Sequence, residues 1–255
     1  MQCTDVSAIV TGGGSGLGAA SARRLHAAGA VVTILDRDLD AGAMVADEPG
    51  SGATFIATDV TDVQQVDDAV RQASGTAPLR IVVNCAGIGL GARTIGRDGV
   101  PADIGDFTRI VTVNLTGTYI VATRAAAAMA RTDELAHGER GVIVNTASIA
   151  AFDGQIGQTA YAASKGGIVG LTLPMARDLS SVGIRVNTIA PGIVDTPLLA
   201  GLDGDMRAAL AAGVPFPKRL GTPEDYADLM MAVVGNGYVN GETIRMDGAL
   251  RMPPR

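Results

Sequence analysis

The sequence predicts a doubly wound α/β domain: one parallel sheet of seven strands, with helices on both faces. Three observations carry this. Short apolar runs alternate with longer helical patterns along the 255 residues. The strand runs are apolar throughout instead of alternating, as strands covered on both faces require. The first run leads into a glycine-rich turn and then a helix, the opening that such folds share.

Each element follows from its residues. Residues 6–10 read as a buried strand. Residues 16–28 read as a helix, with Ala19, Ala20, Ala22, Leu25 and His26 near one face. Residues 31–35 are the second strand, and a short helix covers 39–46. Residues 54–57 are the third strand, and 62–74 form a polar-faced helix. Residues 81–83 are the fourth strand, and the Gly-rich stretch 87–105 is a loop. A single long helix is expected over 106–130, with a tightly packed Ala run at 125–128. A charged surface connection spans 131–140, and the fifth strand follows at 142–144. A second long helix covers 158–180, where Pro174 is expected to bend it without breaking it. The sixth strand is 184–186. Residues 195–220 look irregular with some helix, 223–235 are helical, and 243–246 are the last strand. No linker, repeat or low-complexity block divides the chain, so one domain is expected over 1–255.

Composition excludes several classes. With 47% hydrophobic residues the chain is too apolar for disorder, and its 34 glycines show no three-residue period, so it is not collagen-like. It carries 26 acidic and 20 basic residues, a net charge of −6, and a pI near 4.9. That balance argues against nucleic acid or an anionic membrane as partner. No apolar run approaches the ~20 residues that span a bilayer. The N-terminus lacks the basic-then-apolar pattern of a signal or transit peptide. Cys3 and Cys85 form no C-x-x-C pattern, so the expectation is two reduced thiols in a cytoplasmic protein. No Cys/His/Asp cluster offers a metal site.

The turn after the first strand reads Thr11-Gly12-Gly13-Gly14-Ser15-Gly16-Leu17-Gly18. Glycine lets the chain turn sharply and lets a pyrophosphate approach the main chain, while the free N–H groups of the next helix face the anion. Gly14-x-Gly16-x-x-Ala19 fits the dinucleotide pattern of Rossmann domains, and it lies in the required strand-to-helix context. Asp36 ends the second strand, where an acid accepts hydrogen bonds from the adenosine ribose and repels a 2′-phosphate. NAD is therefore expected over NADP, although Arg37 beside it is a possible phosphate contact.

A second constellation lies downstream. Tyr161 and Lys165, at i and i+4, share a helix face. An ammonium there stabilises phenolate and is expected to lower the Tyr161 pKa, which suits a general base for a hydroxyl proton. Ser148 stands just past the fifth strand, at the strand end where open α/β sheets bind ligands. A surface Tyr–Lys pair is the plain alternative. The scarcity of both residues, two Lys and four Tyr in the chain, and the phosphate turn together outweigh it. Neither Ser15 nor Ser148 lies in the G-x-S-x-G of a serine hydrolase.

Thr11-Gly12 with Gly16-Leu17-Gly18, Asn84-Cys85-Ala86-Gly87, Asn114, Ser148, Tyr161-x-x-x-Lys165 and Pro191-Gly192 together resemble the short-chain dehydrogenase/reductase family. They occur in the family's order across almost the whole chain. The stretches 140–148, 151–155, 164–170, 214–217 and 247–252 look more closely like the branch that acts on 3-hydroxyacyl-CoA. The resemblance is weakest over 88–105 and 131–139.

The resemblance implies one NAD-binding domain, commonly assembled as a homotetramer, that interconverts a secondary alcohol and a ketone. It implies Asn114, Ser148, Tyr161 and Lys165 as the catalytic set. Gly12, Ser15, Gly16, Leu17 and Gly18 would hold the pyrophosphate side of NAD, Asp36 the ribose, and Asp59 and Val60 the adenine. Cys85, Ala86 and Gly87 would line the groove. Lys165 and Tyr161 would lie beside the nicotinamide ribose, with Pro191, Gly192, Ile193, Val194 and Thr196 flanking the ring. Asn114 would interrupt its helix and hold a water linked to Lys165. Cys85 stands where most of the family has Asn, and it reads as a small buried hydrophobe.

The implied substrate is a 3-hydroxyacyl-CoA, held by Ser148, Tyr161 and Gln155, with Gln158 nearby. Leu198, Leu199 and Leu202 would form an apolar lid. Arg93, Arg97, Lys218 and Arg219 would meet CoA phosphates or remain solvated loop charges. Three alternatives stay open: a hydroxysteroid or other small secondary-alcohol dehydrogenase, a non-catalytic NAD-binding regulator or scaffold, and an acyl-carrier-protein reductase. Asp36 disfavours the last because those enzymes usually use NADPH.

Overall fold

The computed structural model describes residues 1–48, 52–199, 201 and 203–254, the side chain of Leu198 excepted. Seven strands form one sheet: β1 (Ser7–Thr11), β2 (Val31–Asp36), β3 (Thr54–Ala57), β4 (Leu79–Asn84), β5 (Gly141–Thr146), β6 (Ile184–Pro191) and β7 (Thr243–Met246). Their order is β3-β2-β1-β4-β5-β6-β7, and every pairing is parallel. Each position of β1, β4, β5 and β6 is buried, which explains their uninterrupted apolar runs.

The helices are α1 (Gly16–Ala27), α2 (Leu39–Ala46), α3 (Val63–Thr76), α4 (Ile104–Val111), α5 (Thr118–Met129), α6 (Thr159–Asp178), α7 (Gly204–Gly213) and α8 (Pro223–Gly235). Two cores sandwich the sheet. On one face Leu25 of α1 and Tyr226, Met230 and Val234 of α8 meet Val10, Val83 and Val144. On the other, Val66 and Val70 of α3, Val121 and Met129 of α5 and Met175 of α6 meet Ile9, Val82 and Ile143. Alternate strand residues supply the two faces, as the period of two demands. Chain direction across the sheet reverses between β1 and β4, where Thr11 pairs with Leu35 on one side and Asn84 on the other. That switch point opens the crevice in which such sheets bind ligands.

Two sequence expectations need correction, and the helix expected somewhere within 195–220 is placed. The helix expected over 106–130 is three pieces, because Thr112–Gly117 between α4 and α5 winds as a π-helix. A π segment widens the backbone locally and is frequent at functional sites. Here it centres on Asn114. β6 runs five residues past 186, to Pro191, since Asn187, Thr188 and Ala190 are fully buried despite two polar side chains. Within 195–220, α7 is a regular helix capped by Asp203, which accepts from Met206 N at 2.8 Å. Pro174 sits inside α6 without ending it, and Gly170, whose carbonyl loses its partner, is exposed and open to water.

Candidate active site

The strand ends of β1, β2, β4, β5 and β6 line one cavity of about 940 Å³. Its floor begins at the glycine turn. Gly12 has φ +63° and Gly16 φ +48°, left-handed values that favour glycine. A Cβ on Gly12 would lie 2.8 Å from Ala86 N and 2.9 Å from Cys85 C, so only glycine lets the turn touch the end of β4. Thr11 braces the same junction, its Oγ1 accepting from Cys85 N and Ala86 N, both at 3.1 Å. Ser15 precedes α1, but its hydroxyl makes no capping bond, and the first turn of α1 carries no acid. The positive end of the helix dipole therefore faces the cavity with no acid in its own first turn.

Beside this turn, Asp36 Oδ2 accepts from Gly14 N at 2.9 Å and Oδ1 from Asp38 N at 3.1 Å. The carboxylate is held facing the cavity, with a lone pair left on each oxygen. Asp59 Oδ1 accepts from Thr61 N and Thr61 Oγ1. Burial works to raise its pKa, but these bonds and the Arg37 charge outweigh burial and hold the carboxyl below its usual range. Arg37 Nη1 lies 3.8 Å from Asp59 Oδ2. Val60 is buried against Gly117 of the π segment, where a Cβ would come within 2.7 Å of Val60 Cγ2.

At the other end lie Ser148, Tyr161 and Lys165. Ser148 caps the short turn Ile149–Ala151, accepting from Ala150 N at 3.1 Å, and lines the cavity with Tyr161, near enough to pull the phenol's pKa down. Lys165 Nζ sits 5.8 Å from the Tyr161 ring centre and donates to Thr146 O at 2.7 Å. The expected lowering of the Tyr161 pKa is not found. Burial raises the phenol, and the nearby Ser148 hydroxyl only partly offsets it. Lys165 bears the same penalty: burial lowers its pKa to about 8, and the Cys85 thiol opposes this. The ammonium points to a backbone carbonyl, so burial decides both groups.

Asn114 lies behind this group, fully buried and outside the cavity lining. It donates to Ile88 O at 2.9 Å and Ser164 Oγ at 3.0 Å, and accepts from Ile88 N at 2.8 Å. Its side chain thereby clamps the chain after Gly87 to α6. The residues expected from sequence to touch NAD all line the cavity: Gly12, Ser15, Gly16, Leu17, Gly18, Asp36, Asp59, Val60, Cys85, Ala86, Gly87, Tyr161, Lys165, Pro191, Gly192, Ile193, Val194 and Thr196. Gln155 and Gln158 line it as well. They are bonded together through Gln155 N and Gln158 Oε1 at 3.0 Å, and Gln155 Nε2 also donates to Pro253 O. Leu199 is on the wall; Leu202 lies outside the described residues.

The loop cations sit elsewhere. Arg93, Arg97, Lys218 and Arg219 are not in the lining. Arg219 forks onto Asp225 at 2.6 and 2.9 Å and pulls that carboxyl down to about 2. The sequence reading missed several residues. Thr146 holds Lys165, Leu210 and Met252 complete the apolar wall, and Arg245 ties Asp153 to Asp247, both at 2.7 Å, beneath that wall. The scarcity of Tyr could have drawn attention to Tyr226, which is fully buried beside Thr146.

A dinucleotide fits this donor set: a glycine cradle that a Cβ would fill, an open helix start, an acid for a ribose and an ammonium near the opposite end. The sequence model described as short chain dehydrogenase matches residues 7–207. The human 3-hydroxyacyl-CoA dehydrogenase type-2 is 48% identical over 249 residues, 97% of this chain and 95% of that protein. The mouse (3R)-3-hydroxyacyl-CoA dehydrogenase is 36% identical, with 96% of each chain covered. The crystal structure of a 3-hydroxyacyl-CoA dehydrogenase type-2 from Mycobacterium avium superposes with a TM-score of 0.95 at 50% identity, covering 98% of both chains.

Proposed function

The chain belongs to the short-chain dehydrogenase/reductase family and is an oxidoreductase; from that premise we propose that it interconverts 3-hydroxyacyl-CoA and 3-ketoacyl-CoA with NAD. The observation that carries this reading is a single cavity lined by Ser148, Tyr161, Lys165 and the glycine turn together. The relatives' names supply the substrate class.

In the alcohol-oxidising direction Tyr161 would act as phenolate, having lost its own proton to solvent, and its oxygen would take the hydroxyl proton. Burial alone opposes that form, so it would depend on the added positive charge of an oxidised cofactor. Ser148 donates to the same substrate oxygen and holds it within reach of the phenol. Lys165 would keep a positive charge beside the pair and, besides the Thr146 carbonyl, would have donors free for the nicotinamide ribose. Asn114 secures the loop after Gly87 and, through Ser164, the helix that carries Tyr161 and Lys165. When bound, the nicotinamide ring supplies hydride acceptance at the substrate carbon and, when oxidised, positive charge near the phenol. In the reverse direction Tyr161 gives its proton to the ketone oxygen.

Asp36 supports NAD over NADP, because its fixed carboxylate would meet a 2′-phosphate with like charge. The acyl chain would lie against Leu199, Leu210 and Met252, with Gln155 near the thioester oxygen. The two separate thiols, Cys3 and Cys85, suit a reducing, cytoplasmic setting, which cell fractionation checks. No helix among the described residues is long and apolar enough to cross a membrane.

Steady-state kinetics test the reading. Acetoacetyl-CoA with NADH should turn over well, and NADPH should serve poorly. Tyr161→Phe should bind NADH nearly as the parent does and lose turnover by about 10²-fold or more. Background activity on acetoacetyl-CoA alongside good turnover of a steroid or polyol would sink the substrate assignment. Retained turnover in Tyr161→Phe would sink the assigned base.

A further inference from the structure

Tyr226 lies in α8, across the sheet from the helix that carries Lys165. It is fully buried, yet it brings a hydroxyl into a core otherwise built of apolar side chains such as Leu25, Ile34, Val144 and Met230. A buried hydroxyl is costly unless it is paired. Its partner is Thr146 Oγ1, at 2.7 Å. Thr146 is the last residue of β5, and its carbonyl accepts from Lys165 Nζ, also at 2.7 Å. The Cys85 thiol completes the knot, 3.5 Å from Thr146 Oγ1 and 3.8 Å from the Tyr226 oxygen. A phenylalanine would fill the same space, so packing alone does not account for the hydroxyl.

We propose that Tyr226 is a positioning residue: through the Thr146 hydroxyl it fixes the last peptide of β5, and so the carbonyl that holds Lys165 Nζ beside the cofactor cavity. The strand end is thereby gripped from both faces of the sheet. Three titratable groups surround the ammonium: Cys85 at the end of β4, Tyr161 one turn back on α6, and Tyr226 behind Thr146. The π segment brings Asn114, which does not titrate, to the same side. A free carbonyl would serve the charged lysine less well, because a hydrogen bond to the charged form favours it only while the geometry holds.

This inference rests on Lys165 as the cofactor-side ammonium, but it can be measured without turnover. The chain has only two lysines, so lysine labelled at the ε position gives two NMR signals in the full-length protein, with Lys218 as the internal reference. In Tyr226→Phe the Lys165 titration should fall by about half a unit while Lys218 stays put. NADH, followed by its own fluorescence, should bind about threefold more weakly. Thr146→Val should reproduce both effects, the double variant should add nothing, and Thr146→Ser should stay near the parent. An unmoved Lys165 titration with parent-like NADH binding in folded Tyr226→Phe or Thr146→Val overturns the proposal. A parent chain without NAD-linked activity would instead count against the proposed function, and the titration would still decide this one.

Discussion

Lys165 is the most expensive side chain in the site. Its folded pKa of about 8 lies below the 10.5 of a free lysine. Between those values the unfolded chain holds the extra proton, so stability rises with pH across that window. Below pH 8 the charged lysine costs about 3 kcal/mol, an upper figure that local water and relaxation reduce. Lys165→Met should therefore abolish turnover yet stabilise the fold at pH 7 by about 2 kcal/mol, since the Thr146 carbonyl loses a donor. The advantage should shrink as pH approaches 10.5. Thermal unfolding of both proteins at pH 7 and pH 10 checks this, and a variant less stable than the parent at pH 7 would contradict it. The pair Tyr161 and Lys165 was legible from its spacing. The electrostatics were not, because sequence gives the distance along a helix and not the depth of burial.

The strand–turn–helix at the start of the chain was legible almost residue by residue. A glycine pattern records the backbone geometry that excludes side chains, and β1, α1 and β2 fall within a residue or two of where their apolar runs end. Gly12 shows how tight the turn is. Gly12→Ala places a methyl against the backbone of Cys85 and Ala86 at a positive φ. It should destabilise the protein by about 2 kcal/mol or more and weaken NADH binding at least tenfold. A denaturation midpoint and NADH affinity equal to the parent's would show that the turn has slack. The π segment was not legible. Residues 106–130 carry an ordinary helical pattern, and the extra residue is absorbed because the Asn114 side chain bonds across to Ile88 and Ser164.

At the scale of the molecule, the apolar surface around α4 and α6 bears on assembly. Ile104 is 75% exposed, and Phe107, Tyr119 and Leu173 are exposed as well. Side chains of this size left in water favour a partner, and the family resemblance implies four copies. The expected mass in solution is four times the 25.8 kDa chain, and Phe107→Arg should lower it. Light scattering that finds a monomer across micromolar concentrations would overturn this. The same scale explains why the apolar wall of the cavity escaped the sequence reading. Leu210 reaches the cavity from α7 and Met252 from a C-terminal stretch tied down by Arg245, Asp153 and Asp247.

By itself the sequence determined the sheet, its parallel sense, the phosphate turn and the identity of the Ser148, Tyr161 and Lys165 set. Each is written in local spacing: apolar runs, glycines where no Cβ fits, and two side chains one helical turn apart. Only the tertiary structure decided how those groups are charged and held. Lys165 meets a carbonyl whose peptide is stapled by Tyr226 from the opposite face of the sheet, and burial there outweighs the attraction between lysine and tyrosine. Burial and cross-sheet contact join residues 61 to 141 positions apart, and no local pattern in a single sequence encodes them.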